Sequence, residues 1–199
     1  MKETKGARTR ARLVGSMLEL IQRNGYSGTG LNTVVEHAGA PKGSLYFHFP
    51  QGKEALGAGA VELAASRFGA LFADAEAESP PASAGVVVGR VIAALAEMLE
   101  GSDFQLGCPV SVVTLEMGGH SERLREACAD AFESWTVPVA ELLVARGRPR
   151  AAARGLATAV VSMVEGAVIM SRARRSTEPL RDAAEALSVL LDDSAGGVR

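Results

Sequence analysis

The chain has 199 residues, is 47% hydrophobic and carries a formal net charge of −2. This composition excludes an intrinsically disordered chain, and two cysteines are too few for a disulfide framework. The sequence shows no signal peptide and no uncharged stretch of the roughly 20 residues that span a bilayer, so we expect a cytoplasmic protein without a membrane partner.

The first predicted helix covers residues 8–24. Its apolar residues recur at spacings of three and four, which predicts one buried stripe formed by Ala11, Val14, Met17, Leu18 and Ile21. Asn24-Gly25 ends the helix. Five cations surround its start, where they can reach phosphate groups: Lys2, Lys5, Arg8, Arg10 and Arg12.

Residues 29–49 form two short predicted helices joined by a tight turn. Thr29 is predicted to cap the first one, because its hydroxyl can accept a hydrogen bond from an amide of the first turn. Gly39 can end that helix in the left-handed conformation, and Pro41 suits the first turn of the next helix. This arrangement is typical of a helix-turn-helix, whose second helix enters the DNA major groove.

The second short helix has an apolar face and a polar face. Leu45 and Phe49 lie four residues apart and are predicted to be buried. The opposite face then carries Lys42, Ser44, Tyr46 and His48. A polar face that combines a cation, a hydroxyl and aromatic rings is suited to contact with DNA.

The positive charge is concentrated at the N-terminus. Residues 1–52 hold seven Lys and Arg against three acidic residues, a net charge of +4, whereas the remaining chain holds fourteen against twenty, a net charge of −6. The placement of cations, more than the total charge, draws a protein to phosphate. The N-terminal quarter is therefore the predicted DNA-binding part.

The rest of the chain is also predicted to be helical. Glycine, proline and serine clusters separate helices near 53–78, 83–100, 105–117, 121–146, 150–174 and 178–192. The β-branched runs 86–88 and 110–113 lie within helical periodicity, so we predict no strand. The expected fold is all-α with about nine helices: an N-terminal three-helix domain over 1–52, with the helix-turn-helix at about 29–49, and a helical domain over 53–199.

The residues from Thr29 to Glu54 resemble the TetR family of one-component transcriptional repressors. The spacing matches that family's pattern without a gap as far as Phe49, through Ala38-Gly39-Ala40-Pro41-Lys42-Gly43-Ser44-Leu45-Tyr46-Phe47-His48-Phe49. Val35 and Pro41 depart from the usual Ala and Ser. Further along, Gly107-Cys108-Pro109-Val110 and Leu115-Glu116-Met117 resemble the C-terminal domain of the LmrA/YxaF-type branch.

This resemblance implies a function for the molecule and a role for each residue of its motif. The function is that of a homodimeric repressor that binds a palindromic operator in double-stranded DNA and is released by a hydrophobic or aromatic small molecule. Gly43 would admit the DNA backbone and Ser44 would face base edges, while phosphate contacts are implied for Lys42, Tyr46, His48 and Lys53. Thr29 belongs to the same DNA-binding set. For Phe47, a contact with a base edge and a merely exposed ring both remain open.

The helices after residue 150 are predicted to pair two subunits. Between Gly155 and Ser171 the only charged residue is Glu165, so most of that helix's circumference favours burial. The resemblance implies a four-helix dimer interface formed by Leu156, Val160, Val164, Ala167, Met170, Leu180, Ala184, Leu187 and Leu191. The ordinary core of a monomer is the alternative.

An effector pocket is predicted in the C-terminal domain from its large, adaptable apolar side chains. The candidates are Phe104, Leu106, Cys108, Val112, Val113, Glu116, Met117, Phe132, Trp135 and Met163. Residues of these types are more often plain core residues, and only some of them can line one cavity. Glu116 would serve as a polar anchor, although most helical glutamates face water.

Neither an enzyme nor a metal or cofactor site is predicted. The three histidines, His37, His48 and His120, have no cysteine or carboxylate at metal-ligand spacing, and no glycine-rich loop follows a strand. A purely structural helical protein is a further alternative. It would leave the chemistry of residues 42–49 and the basic N-terminus without an explanation.

Overall fold

The computed structural model describes residues 4–77 and 82–192, and these ranges contain nine α-helices and no strand. The helices are α1 (Lys5–Asn24), α2 (Leu31–His37), α3 (Lys42–His48), α4 (Lys53–Ala77), α5 (Ala84–Gly101), α6 (Pro109–Met117), α7 (Glu122–Ala145), α8 (Arg150–Arg174) and α9 (Glu178–Asp192). The predicted all-α fold is confirmed. Lys2 and the predicted break at residues 79–81 lie outside the described residues.

The predicted helix bounds differ most from the structure at the start of α6. The sequence places that start at residue 105, whereas the helix begins at Pro109. Asp103 and Phe104 adopt left-handed backbone conformations, and the Arg172 side chain donates hydrogen bonds to the carbonyl oxygens of Phe104 and Gln105. These hydrogen bonds to α8 hold residues 103–105 in a non-helical conformation that helical periodicity does not reveal.

The chain divides by packing into two compact units. The first, here called the head unit, comprises Met1–Ser66 and Cys108–Ala131, and the second, the body unit, comprises Arg67–Gly107 and Phe132–Arg199. The division falls within α4, between α5 and α6, and within α7. It differs from the predicted domain limits along the chain, 1–52 and 53–199, which stay a prediction.

Within the head unit, α1 buries more of its surface than a single stripe. Its buried apolar residues are Leu13, Val14, Met17, Leu18, Leu20 and Ile21. The prediction is correct for four of these residues and wrong for Ala11, which is exposed. Leu13 and Leu20 are buried as well because α1 packs against α2, α3 and α6, which together cover a wide arc of its circumference.

The prediction that Thr29 caps α2 is wrong. The helix begins at Leu31 after Gly30, and no side chain caps its N-terminus. The Thr29 hydroxyl instead donates a hydrogen bond to the Gly25 carbonyl oxygen at 2.7 Å, and its backbone N–H donates to the Tyr26 carbonyl oxygen at 3.1 Å. Thr29 therefore closes the turn between α1 and α2 rather than starting the second helix.

The core of the body unit lies mainly between α5, α8 and α9. Val87, Val91 and Ile92 of α5 are buried with Leu180 and Leu187 of α9. The N-terminus of α5 is fixed to α9 by Asp192, whose carboxylate accepts hydrogen bonds from the Gly85 N–H at 3.0 Å and the Ser83 hydroxyl at 2.7 Å. This side chain from the end of α9 therefore satisfies an otherwise unpaired donor of α5.

Two helices, α4 and α8, are long and apolar enough to cross a bilayer by length and composition alone. This measure allows up to two charged residues in the window, so it does not contradict the sequence-based expectation, which concerned stretches without any charge. A core helix of a soluble protein meets the same criterion, so the observation is weak evidence for a membrane span.

Replacing Asp192 tests its role in joining α5 to α9. The Asp192→Ala variant should lower the free energy of unfolding by about 1 kcal/mol, because a helix N-terminus loses its acceptor. Urea denaturation followed by circular dichroism measures this change. The matched control is Asp182→Ala, which removes an exposed carboxylate from the same helix. Equal losses in the two variants would contradict the assigned role.

Candidate nucleic-acid interface

The helix α3 is held in place by two buried apolar side chains, one within it and one directly after it. Leu45 and Phe49 are 1% and 3% exposed, as the sequence predicts, and α3 packs against α1. Gly39 has a φ of +56°, which confirms the predicted left-handed turn between α2 and α3. Pro41 directly precedes α3 and its carbonyl oxygen accepts a hydrogen bond from the Ser44 backbone N–H at 2.9 Å.

The opposite face of α3 presents its side chains outward. Tyr46 is 65% exposed and Phe47 is 80% exposed, and the Phe47 ring packs edge-on against the His48 ring with centroids 5.0 Å apart. Lys42 and Gly43 are also exposed, whereas Ser44 and His48 are partly buried. The predicted DNA-contact residues of α3 therefore lie on one short helix, with their larger side chains open to solvent.

Two predicted DNA-contact residues have hydroxyl groups that are already used within the head unit. The Ser44 hydroxyl donates to the Pro41 carbonyl oxygen at 2.6 Å, which leaves its oxygen available as an acceptor. Thr29 is 1% exposed and bonds to Gly25, as described above. Contacts of Ser44 and Thr29 with DNA stay predictions, and the burial of Thr29 favours a structural role in the turn.

The helix α1 adds exposed cations to the head unit. Lys5, Arg8, Arg10 and Arg12 are exposed, and none of them forms an ion pair with a described acidic residue. The Arg10 guanidinium lies 5.2 Å from the centroid of the Phe49 ring. These charges are therefore free to attract an anionic partner to the head unit.

Lys53, another predicted phosphate contact, differs from these exposed cations. Its Nζ lies 4.5 Å from the centroid of the Tyr26 ring and 3.5 Å from the Ser27 carbonyl oxygen. Burial lowers the pKa of Lys53, and the nearby Glu116 carboxylate opposes this shift. The sequence does not reveal this environment, because Glu116 lies 63 residues away along the chain.

The ten predicted pocket residues divide equally between the two units. The head unit contains Cys108, Val112, Val113, Glu116 and Met117, and the body unit contains Phe104, Leu106, Phe132, Trp135 and Met163. Trp135 is buried and packs against Phe68 and Phe132, with ring centroids 4.7 and 5.5 Å away. Met163 is 39% exposed and lies on the surface of α8.

Among the described residues of the body unit lie a small void and an open groove, and neither cavity is lined by the predicted pocket residues. An apolar void of about 20 Å³ lies in the core and is lined by Phe68, Phe72, Val88, Val91, Val139, Val160, Val161 and Val164. A larger open groove of about 470 Å³ is lined by Val137, Ala140, Glu141, Val144, Ala145, Arg150, Ala153 and Arg154. The predicted pocket as a set stays a prediction.

Most of the predicted dimer-interface residues are used inside their own subunit. Six of the nine are buried in the core of the body unit: Val160, Val164, Ala167, Leu180, Leu187 and Leu191. Leu156 and Ala184 are partly buried, and only Met170 is exposed. Side chains buried within one subunit leave little surface for a partner, and the dimer interface stays a prediction.

The outer face of these two helices also carries large apolar side chains. Met163, Ile169 and Met170 of α8 are 39%, 52% and 47% exposed, and Val189 and Leu190 of α9 are 61% and 39% exposed. Sequence reasoning missed Ile169 and Val189. Apolar residues on both faces of a helix are the signal that could have identified them, since one face alone suffices for a core.

Comparisons with known proteins match both parts of the chain. Residues 17–58 match the model described as bacterial regulatory proteins, tetR family, and residues 85–186 match the model described as transcriptional regulator LmrA/YxaF-like, C-terminal domain. The chain is 34% identical to the HTH-type transcriptional regulator LmrA of Bacillus subtilis over 173 residues, which cover 86% of this chain and 90% of that protein. It is 33% identical to the uncharacterized regulator YxaF of the same organism over 183 residues, or 92% and 95% of the two chains.

Solved structures show the same fold. A TetR transcriptional regulator from Legionella pneumophila superposes with a TM-score of 0.83 at 19% identity, over 96% of this chain and 100% of that one. Another from Chloroflexus aurantiacus has a TM-score of 0.78 at 28% identity, over 93% and 94% of the two chains.

The environment of Tyr26 predicts a measurable titration. Burial, assisted by the negative charge of Glu54, raises the pKa of Tyr26 to about 12. The folded-state pKa lies above the ordinary tyrosine value of 10.0, so the neutral phenol stabilises the fold fully below pH 10 and loses this effect as the pH rises towards 12. In the Tyr46→Phe variant Tyr26 is the sole tyrosine, and the ultraviolet absorbance of its phenolate should show a midpoint near pH 12.

Denatured Tyr46→Phe protein in urea is the control, and its tyrosine should titrate near the ordinary pKa of 10.0. A midpoint near that value in the folded protein would contradict the buried position of Tyr26 beside Lys53.

Proposed function

Because this chain belongs to the TetR family of bacterial transcriptional regulators, with a C-terminal domain of the LmrA/YxaF-like type, we propose that it is a repressor released from DNA by a small molecule. It binds a palindromic operator as a homodimer in the cytoplasm, and a hydrophobic or aromatic effector lowers its operator affinity. Members of this family regulate transcription and are not enzymes. The observation that carries the proposal is the outward face of α3. There the rings of Tyr46 and Phe47 and the charged Lys42 are exposed to solvent.

Gly43 supports an approach of DNA to this face. A glycine within a helix costs about 1 kcal/mol relative to alanine. A Cβ built on Gly43 meets nothing within 4 Å, so packing inside the described chain does not require a glycine there. A close approach by a partner's backbone accounts for the glycine, and the exposed Lys42 next to it supplies a charge for phosphate.

Phe47 and Tyr46 add apolar surface to the same contact. A phenylalanine that is 80% exposed leaves most of its ring in water, and an apolar contact with a thymine methyl in the major groove would remove that cost. Tyr46 combines a ring with a hydroxyl that can reach a phosphate oxygen. We therefore assign base contact to Phe47 and Ser44, and phosphate contact to Lys42, Tyr46 and His48.

The outer face of α8 and α9 supports a homodimer. Its exposed apolar residues, Met163, Ile169, Met170, Val189 and Leu190, lie on two helices that pack against each other. A two-fold pair of such faces would bury these side chains and present two copies of α3. In a dimeric helix-turn-helix regulator, the two recognition helices enter successive major grooves about 34–36 Å apart.

The void in the body core is the proposed point of effector entry. A volume of about 20 Å³ holds at most one water molecule, so an effector must displace side chains to bind there. Phe68 lines the void and packs against Trp135, which in turn packs against Phe132, so aromatic surface adjoins it. An aromatic or drug-like molecule of modest size fits this chemistry.

The effector acts through its different affinities for two conformations. The helix α4 begins at Lys53 in the head unit and ends at Ala77 in the body unit, so a displacement of its body segment can be transmitted along a continuous helix. A change from mostly bound to mostly free protein requires a difference of roughly 5 kcal/mol between the two affinities.

DNA binding is tested by footprinting on duplexes selected from a random pool. We expect protection of one palindromic site. Lys42→Met should weaken binding about equally on all duplexes and make the slope of log K against log salt shallower by roughly 0.9, because one phosphate contact is lost. Ser44→Ala should change the ranking of the duplexes instead. Fluorescence anisotropy over a salt series measures both effects.

Arg67→Met is the control, because it removes an exposed cation from the body unit. It should leave both the affinity and the slope unchanged. The proposed function is lost if the unmodified protein protects no duplex at low salt.

The dimer surface is tested with Ile169→Asp, which places a carboxylate in the proposed interface. Since burial of an unpaired charge is costly, the variant should be monomeric by light scattering and should lose most of its operator affinity. Val86→Asp provides the control, because Val86 is an exposed apolar residue of α5. If Ile169→Asp remained dimeric with an unchanged melting temperature, the outer face of α8 would not be the interface.

A further inference from the structure

A carboxylate of α6 holds the turn between α1 and α2. The Glu116 carboxylate accepts a hydrogen bond from the Ser27 backbone N–H, with Oε2 at 2.6 Å from the nitrogen. Gly25 has a φ of +78°, and a Cβ built there would collide with Glu116 Oε1. Since α6 also packs against α1 within the head unit, the turn and this carboxylate fit each other closely.

Lys53 completes the same cluster. Its Nζ lies over the Tyr26 ring and 3.5 Å from the carbonyl oxygen of Ser27, the residue whose N–H binds Glu116. The Glu116 carboxylate favours the charged form of this amine and so opposes the effect of burial on its pKa. Tyr26, Ser27, Lys53 and Glu116 therefore form one connected set, here called the Glu116 latch.

The latch uses a cation that the DNA contact also needs. Lys53 is the first residue of α4 and is one of the lysines expected to reach a phosphate. A phosphate oxygen would have to compete with the Tyr26 ring and the Ser27 carbonyl oxygen for this ammonium group. Glu116 also brings a negative charge next to the basic N-terminal segment, residues 1–52, in which Arg8, Arg12 and Lys42 form no ion pair with a described acidic residue.

We propose that Glu116 limits the DNA affinity of this regulator by retaining Lys53 on the turn at residues 25–28. Lys53 binds phosphate only when the Glu116 carboxylate is displaced or neutralised. This inference rests on the proposed function and assigns Glu116 to the control of binding strength, whereas the sequence places it in the effector pocket. A purely structural role makes the opposite prediction, since loss of a support for the turn would weaken DNA binding.

Glu116→Gln separates these two roles, because the amide keeps an oxygen acceptor for the Ser27 N–H and removes the charge. We expect DNA affinity at low salt to rise several-fold and the slope of log K against log salt to become steeper by roughly 0.9, as one phosphate contact is gained. Glu62→Gln is the matched control, because it removes an exposed carboxylate from the head-unit part of α4. It should change neither quantity.

The double variant Glu116→Gln with Lys53→Met tests whether the gain passes through Lys53. The gain should vanish, so that the double variant matches Lys53→Met alone in both affinity and slope. A gain that persists without Lys53, or an unchanged or weaker affinity in Glu116→Gln, would overturn the proposal.

A measurement without DNA distinguishes failure of the latch from failure of the proposed function. Nuclear magnetic resonance of labelled lysine in the full-length protein reports the pKa of Lys53. That pKa should fall in Glu116→Gln, because the charge that favours the ammonium form is removed. If the pKa does not move, the latch is wrong whether or not the protein binds DNA. If it falls while the unmodified protein binds no duplex, only the proposed function fails.

Discussion

The burial of Leu45 and Phe49 determines which face of α3 is available to DNA. A helix of seven residues is not stable alone in water, because its nucleation cost exceeds what a few hydrogen bonds return. The packing of α3 against α1 supplies the missing stability. Because the two apolar side chains point inward, Lys42, Tyr46 and Phe47 must point outward, and the rest of the proposed interface follows from this constraint.

The sequence predicts the head unit well where neighbouring residues decide the structure. Gly39 adopts a left-handed conformation and Leu45 is buried, both as local patterns indicate, and Pro41 lies directly before α3, one residue outside the first turn in which the sequence predicts it. Thr29 is the exception. The Thr29 hydroxyl donates its hydrogen bond to the carbonyl oxygen of Gly25, a residue with a positive φ, and does not cap the first turn of α2. The periodicity of apolar residues carries no information about that competition.

In the body unit the sequence reveals how much surface is apolar but not which partner covers it. Val160 and Val164 lie in the core, whereas Ile169 and Met170 on the same helix remain exposed. The contacts of α8 with α5 and α9 determine which face becomes the core. Similarly, nothing in the residues around Glu116 indicates that its carboxylate reaches Ser27, 89 residues earlier in the chain.

In the proposed mechanism two parts of the head unit have different roles. The Glu116 latch sets the strength of DNA binding, and the outward face of α3 sets the sequence preference. A phosphate contact strengthens binding to every duplex by a similar factor, because the charge of the backbone is independent of sequence. Releasing Lys53 from Glu116 would therefore raise specific and non-specific binding together and leave their ratio unchanged. Discrimination between sequences rests on the face of α3, where Ser44 and Phe47 lie. The strength of binding can then be adjusted through α6 without altering which operator is chosen.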